Sequence, residues 1–206
     1  MRDFRLYVII DKRAAKGRDL ASIAAEAVAG GADIIQLRDK ESPALEVVAA
    51  GKAIRRAVSA DKAAFIINDR ADIAVAVGAD GVHLGQEDIP VGAARAILGK
   101  GKIIGLSTHS LEQAQAAQES GADYIGVGPV FSTPTKPDYK AVGLELITKV
   151  RKISKLPFVA IGGIDDTNAA DVIRAGADRI AVVRSVCGAQ DVRAAARRLK
   201  EIITNK

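Results

Sequence analysis

The chain has 206 residues and a formal net charge of +5, from 30 Lys and Arg against 25 Asp and Glu. A single cysteine, Cys187, excludes an intrachain disulfide and fits a reducing compartment. Dispersed basic residues with only 3% aromatics argue against nucleic-acid binding, and no signal-like start or apolar run near 18 residues argues for a membrane, so a cytoplasmic protein is expected.

The length fits one domain over residues 1–206, able to bury about 70% of its unfolded surface. Trp is absent, so the core must come from Val, Ile, Leu and Ala, which suits strands buried on both faces. Gly-Ala-Asp occurs four times, starting at Gly31, Gly78, Gly121 and Gly176, and each copy runs into a short apolar segment. The intervals could each hold one solenoid unit or two βα units. Glycine supplies a left-handed helix C-cap and Asp suits the turn into a strand. If each copy marks every second strand, the chain has eight.

In chain order the predicted strands are Leu6–Ile10, Ile34–Leu37, Ala64–Ile67, Val82–Leu84, Ile103–Leu106, Tyr124–Val127, Phe158–Ile161 and Ile180–Val183. Helical segments separate them. One is expected to begin with Ser42 as cap and Pro43 at its first position. The last shows helical spacing at Val192, Ala195, Ala196, Leu199, Ile202 and Ile203. Strands alternating with helices imply a parallel sheet, and four even repeats favour its closure into a (β/α)8 TIM barrel. An open doubly wound sheet is the rival. Its glycine turn is missing after the first strand, which reads Ile10-Asp11-Lys12-Arg13.

In such a barrel the chemistry stands just after each strand. After the second strand come Gln36, Leu37, Arg38, Asp39 and Lys40. Arg offers a planar fork and Lys a point charge for phosphate, unless Arg38 only pairs with a carboxylate. Asn68 and Asp69 follow the third strand, and His83 through Asp88 close the fourth. Asp69 and Asp88 would converge and repel unless a cation lies between them. Mg²⁺ takes oxygen ligands and shares its shell with substrate phosphate. The bland alternative has Asp88 capping a helix near Pro90. Ser107, Thr108 and His109 end the fifth strand, where they could hold phosphate or cap a helix near Leu111. The long Gly128–Gly143 connection carries Thr133, Thr135 and Lys136 and is expected to close as a lid. Gly162-Gly163 and Val183-Arg184-Ser185 end the last two strands, where many barrels hold a phosphate on backbone amides. Cys187 has no evident base and reads as packing. Two anion sites emerge, one suited to a diphosphate and one to a monophosphate, with no activated nucleophile between them.

The ordered set Gln36-Leu37-Arg38-Asp39-Lys40, Asn68-Asp69, His83–Asp88, Gly121–Phe131, Thr133–Lys136 and Ile161–Ile164 resembles the thiamine-phosphate synthase family over nearly the whole chain. The resemblance implies a Mg²⁺-dependent transferase on a (β/α)8 barrel. It would join a hydroxymethylpyrimidine diphosphate to a thiazole phosphate, giving thiamine phosphate and pyrophosphate. The thiazole can carry a carboxylate that is lost as CO2. Gln36, Leu37, Arg38, Asp39, Lys40, Asn68, Ser107 and Lys136 would hold the pyrimidine diphosphate, with Tyr7 and His83 along the pyrimidine. Arg38, Lys40, Ser107 and Lys136 would assist the leaving group, and Asp69 and Asp88 would carry Mg²⁺. Thr133, Pro134, Thr135, Gly163, Val183 and Arg184 would hold the thiazole phosphate. Arg184 stands where the family commonly has a small residue. The rivals are a thiazole tautomerase-like barrel, which needs no diphosphate clamp, and a noncatalytic thiazole-phosphate-binding regulator. Expected partners are these small molecules, with homo-oligomers left open.

Overall fold

A computed structural model describes residues 3–133 and 140–205. Eight parallel strands close into a barrel in sequence order, each hydrogen-bonded to the next and β8 to β1. They are β1 (Leu6–Asp11), β2 (Ile34–Arg38), β3 (Ala64–Asn68), β4 (Gly81–Leu84), β5 (Ile103–Thr108), β6 (Tyr124–Val127), β7 (Phe158–Ile161) and β8 (Ile180–Val182). The helices are α1 (Lys12–Ala15), α2 (Leu20–Ala29), α3 (Ala44–Ala57), α4 (Ala71–Ala76), α5 (Val91–Leu98), α6 (Leu111–Ala116), α7 (Gly143–Ile153), α8 (Ala169–Arg174), α9 (Arg184–Cys187) and α10 (Val192–Thr204). Closure excludes the open sheet. Among the described residues no helix is long and apolar enough to cross a membrane.

Two-residue alternation divides the core. Inward positions pack a cluster of Phe4, Tyr7, Ile9, Ile34, Ile66, Tyr124, Val159 and Ala181 inside the barrel. Outward positions such as Leu6, Val8, Ile10, Ile35, Leu37, Phe65 and Ile67 pack against the helices. α10 follows the expected spacing and buries Val192, Ala195, Ala196, Leu199 and Ile203.

The Gly-Ala-Asp copies precede β2, β4, β6 and β8, and all four glycines have positive φ, from 67° to 111°. An L side chain is strained there, so glycine ends each helix. The aspartates work at the opposite end of the barrel from the predicted site. Asp33 accepts the amides of Arg5 (2.7 Å) and Leu6 (2.9 Å). Asp80 accepts that of Phe65, and Asp123 that of Ile104, each at 2.7 Å. Each also pairs with a helix cation: Lys200 with Asp33, Arg55 with Asp80, Arg95 with Asp123, and Arg151 with Asp178. The repeat therefore staples strand starts together.

Several local expectations change. Pro43, not Ser42, is the N-cap of α3, and it makes no side-chain cap bond. Asp39 instead accepts the amides of Glu41 and Ser42, which draws the chain into a turn before α3. Asp88 does not cap α5; its Oδ2 accepts the Gly85 amide of its own loop. Ser110, beyond the expected hydroxyls, caps α6 through the Gln113 amide.

Candidate active site

The strand ends converge on a cavity of about 500 Å³ at the C-terminal mouth of the barrel. Pairing carries β1, β2, β3 and β5 one or two residues past their predicted ends, so Asp11, Arg38, Asn68 and Ser107 project from strands rather than from loops. Strand backbones hold such groups more rigidly than loops do. Tyr7, Gln36, Arg38, Asn68, His83 and Ser107 line one part of the cavity. Thr133, Gly163, Val183 and Arg184 line another. Ile9, Val159, Ile161 and Ala181 make an apolar wall.

The register explains the centre. His83 on β4 pairs with Gly105 on β5, which pairs with Tyr124 on β6. All three point inward on one row. A Cβ at Gly105 would lie 2.2 Å from Tyr124 Cζ and 2.4 Å from His83 Nδ1. Glycine between the rings lets them meet, with His83 Nδ1 2.8 Å from the Tyr124 hydroxyl. His83 Nε2 lies 2.9 Å from Ser107 Oγ. The Tyr7 and Tyr124 hydroxyls are 3.0 Å apart, and Gln36 Nε2 donates to Tyr7 at 2.6 Å. Burial pushes both phenols well above the ordinary tyrosine pKa, so both stay neutral.

Arg38 pairs with Asp11, and both side chains are largely buried (15% and 6% exposed). Asp11 was not foreseen; it also caps α1 through the Ala14 amide. The ion pair fixes the guanidinium at the cavity edge, which makes its pairing and its site role compatible.

Asp69 has φ 63°, the left-handed region that Asp tolerates better than most residues. Its amide donates to the His83 carbonyl at 2.8 Å, and its carboxylate pairs with Lys40 at 2.9 Å. The Asp88 carboxyl hydrogen-bonds to Asp69 and is held above the usual carboxylate range. Burial is the largest cause, and the Asp69 charge adds to it against the Gly85 amide and Lys40. Among the described residues no group of three or more His, Cys, Asp or Glu gathers as a metal cage. Two meeting carboxyl groups that resist joint ionisation nonetheless fit a hard divalent cation completed by water and phosphate oxygens.

Other expected residues fall elsewhere. Leu37 faces outward and is 1% exposed in the barrel–helix core, so its side chain is not in the cavity, as alternation from Gln36 and Arg38 requires. Asp39 and Lys40 line a neighbouring cleft with Lys12, Arg13 and Lys16, joined to the main cavity through Arg38 and Arg184. Asp39 serves its turn and lies 3.6 Å from Lys12. Arg184 is exposed between the two cavities at the start of α9. Pro134, Thr135 and Lys136 lie outside the described residues, as does the core of the expected lid. Tyr124, missed in the sequence, reads there as an ordinary strand residue; only its register beside Gly105 marks it.

Loops six and seven interlock. Val130 and Phe131 donate to the Ile161 and Gly162 carbonyls at 2.8 and 3.0 Å. Gly163, at φ 65°, leaves no room for a Cβ, which would lie 2.7 Å from Phe131 Cβ. That close approach presents backbone to the cavity. Cys187 is buried against the Asp11 carbonyl (3.6 Å), and burial pushes its thiol up to about 11.

A thiamine monophosphate synthase family model matches residues 6–186. A thiamine-phosphate synthase from Moorella thermoacetica is 49% identical over 99% of this chain and 98% of its own. The chain belongs to the thiamine-phosphate synthase family. One from Chloroflexus aurantiacus is 45% identical over 98% of this chain and 94% of its own. The solved thiamine phosphate pyrophosphorylase from Pyrococcus furiosus superimposes with a TM-score of 0.89 at 43% identity, covering 98% of this chain and 96% of that one. The orotidine 5'-phosphate decarboxylase of Pyrococcus horikoshii, at 18% identity and a TM-score of 0.68, shares the fold alone. As in the other thiamine-phosphate synthases, the chemistry expected of this chain is that of a transferase.

Proposed function

We propose that the chain condenses 4-amino-2-methyl-5-hydroxymethylpyrimidine diphosphate with a thiazole phosphate, releasing thiamine phosphate and pyrophosphate. The observation that carries this reading is the meeting of Asp69, Asp88 and Lys40 beside a cavity lined by Arg38, Asn68 and Ser107. A tautomerase or a simple thiazole-phosphate binder has no use for that arrangement.

In this reading Gln36 and Tyr7 seat the pyrimidine over the apolar wall. Arg38, Lys40 and Asn68 hold the diphosphate, joined by Lys136. Asp69 and Asp88 would hold Mg²⁺, which would neutralise charge on the diphosphate oxygens when bound. The methylene–oxygen bond breaks and its electron pair leaves with pyrophosphate. The 4-amino group of the ring delocalises the positive charge left on the methylene. The thiazole nitrogen then donates its lone pair and forms the new carbon–nitrogen bond. No enzyme nucleophile takes part, which agrees with a buried, protonated Cys187. Thr133, Pro134, Thr135 and the amides at Gly163, Val183 and Arg184 would fix the thiazole phosphate, so the protein mainly aligns two substrates and stabilises departing charge. The cytoplasm, where both substrates would be made, is the proposed compartment.

The test is pyrophosphate release from the pyrimidine diphosphate, with and without thiazole phosphate, in Mg²⁺ or in EDTA. Release that needs both the thiazole and the metal, with equal thiamine phosphate, is expected. Binding of thiazole phosphate with no release under any divalent ion would reject the reading.

A further inference from the structure

We propose that Gln36, Tyr7, Tyr124, His83 and Ser107 form one polarised hydrogen-bond chain, in which Tyr124 is a positioning residue that holds His83 as its Nε2–H tautomer and leaves the Ser107 hydroxyl proton for the substrate diphosphate. The inference rests on the proposed function and deepens it.

The direction follows from one end. An amide nitrogen only donates. With Gln36 Nε2 at 2.6 Å, the Tyr7 oxygen accepts, and the Tyr7 proton points to the Tyr124 oxygen 3.0 Å away. Tyr124 then donates to His83 Nδ1 at 2.8 Å. A neutral imidazole that accepts at Nδ1 carries its proton on Nε2. That proton goes to Ser107 Oγ at 2.9 Å, so the hydroxyl's own proton is left for a third partner. Ser107 lines the cavity, and its carbonyl accepts from Gln86 at 2.6 Å, which fixes its backbone.

The first three links are buried inside the barrel, and His83 and Ser107 open onto the cavity. Tyr7 and Tyr124 are 1% and 0% exposed, and Gln36 is 2%. Water therefore offers no competing partner to the phenols. The Gln36 carbonyl oxygen remains an acceptor, suited to an amino group on the ligand ring. If Gln36 turned its amide to accept from Tyr7, every bond would reverse and Ser107 would donate to His83. Recognition of an amino-bearing ring at one end is thereby tied to a hydroxyl donor for an oxyanion at the other. No proton is transferred along the chain.

The sequence contains only two histidines, so ¹⁵N-histidine labelling reports both rings. The other, His109, has its Nδ1 2.5 Å from the Gly128 carbonyl, so that nitrogen must carry a proton. At about pH 8, above the ordinary histidine pKa, long-range proton–nitrogen correlation should show one ring with Nδ1–H and one with Nε2–H. His109→Gln assigns them, and His83 is expected to be the Nε2–H ring. In Tyr124→Phe, His83 should become a mixture of tautomers. There kcat should fall by about tenfold, because Ser107 loses its fixed hydrogen bond to the charged diphosphate, while KM for the pyrimidine diphosphate changes by less than about twofold. Tyr7→Phe should shift both readouts the same way and less. A merely structural role would lower Tm without moving the tautomer. An Nδ1–H His83 in the unsubstituted protein overturns the proposal, and so does Tyr124→Phe with tautomer and kcat unchanged. Should Tyr124→Phe not fold, the unsubstituted ring and Tyr7→Phe still decide. An unsubstituted protein that turns over no substrate pair would sink the function, while the His83 tautomer would still test the chain's direction.

Discussion

Gly105→Ala tests the central row of the site. The added Cβ would lie 2.2 Å from Tyr124 Cζ and 2.4 Å from both the Tyr124 hydroxyl and His83 Nδ1. An ordinary carbon–carbon contact is about 3.5–4.0 Å, so the Tyr124 ring must retreat by at least about 1.3 Å. It has nowhere simple to go, because Phe4 and Tyr7 pack against it at centroid distances of 6.0 and 6.1 Å. Overpacking of this kind costs about 1–3 kcal/mol, which lowers Tm by about 2–12 °C in a chain of this size. The same retreat breaks the His83–Tyr124 contact and moves Ser107's partner. Misplacement by about 1 Å costs on the order of 100-fold in rate. Calorimetry and thiamine phosphate formation measure the two effects. Gly92→Ala is the control: its Cβ meets nothing within 4 Å, and it lies in α5. Removing a helical glycine should stabilise by about 0.5–1 kcal/mol and leave the rate alone. Gly105→Ala with native Tm and native kcat would refute the packing argument. A lowered Tm with native kcat would refute its link to chemistry.

Asp33→Ala should act on stability alone. It strands the amides of Arg5 and Leu6 at the end of the barrel away from the site and unpairs Lys200. Each unmet buried donor costs about 1–3 kcal/mol, so denaturant midpoints should fall while kcat of the folded enzyme holds; a fall in kcat at full folding would contradict the assignment. Asp88→Asn should change the pH dependence. The folded Asp88 keeps its proton to a higher pH than the unfolded one, chiefly through burial. The native metal-free protein therefore loses stability as pH rises from the ordinary carboxylate pKa through the raised one, and the Asn variant lacks that loss. Mg²⁺ should stabilise the unsubstituted protein by about 2.7 kcal/mol at 100 times Kd, which raises its Tm, and stabilise the variant less. Equal Mg²⁺ responses would count against these metal ligands. Cys187, with its thiol pushed up to about 11, should carry about one thiolate in a thousand at pH 8. Thiol reagents should label it only on unfolding, and rapid labelling of the native protein would contradict its buried placement.

Local information determined most of the fold. Glycine conformational freedom and two-residue alternation are properties of adjacent residues, so the Gly-Ala-Asp copies and the eight apolar segments could be read along the chain. Alternation placed Gln36 and Arg38 on one face, and it also sends Leu37 outward, away from the ligand side that its motif suggested. Asp69 and Asp88 were brought to neighbouring loops by strand order, and the structure joins them. Register between strands was not legible, because it depends on how the barrel closes. It sets His83, Gly105 and Tyr124 in one row and gives Arg38 the partner Asp11. Those contacts join residues dozens of positions apart, and no local propensity encodes which of several inward side chains will meet. The barrel and the set of polar groups at its mouth follow from patterns local to the chain. The tertiary structure decided which of those groups touch, because that depends on shear and on the missing side chain at Gly105.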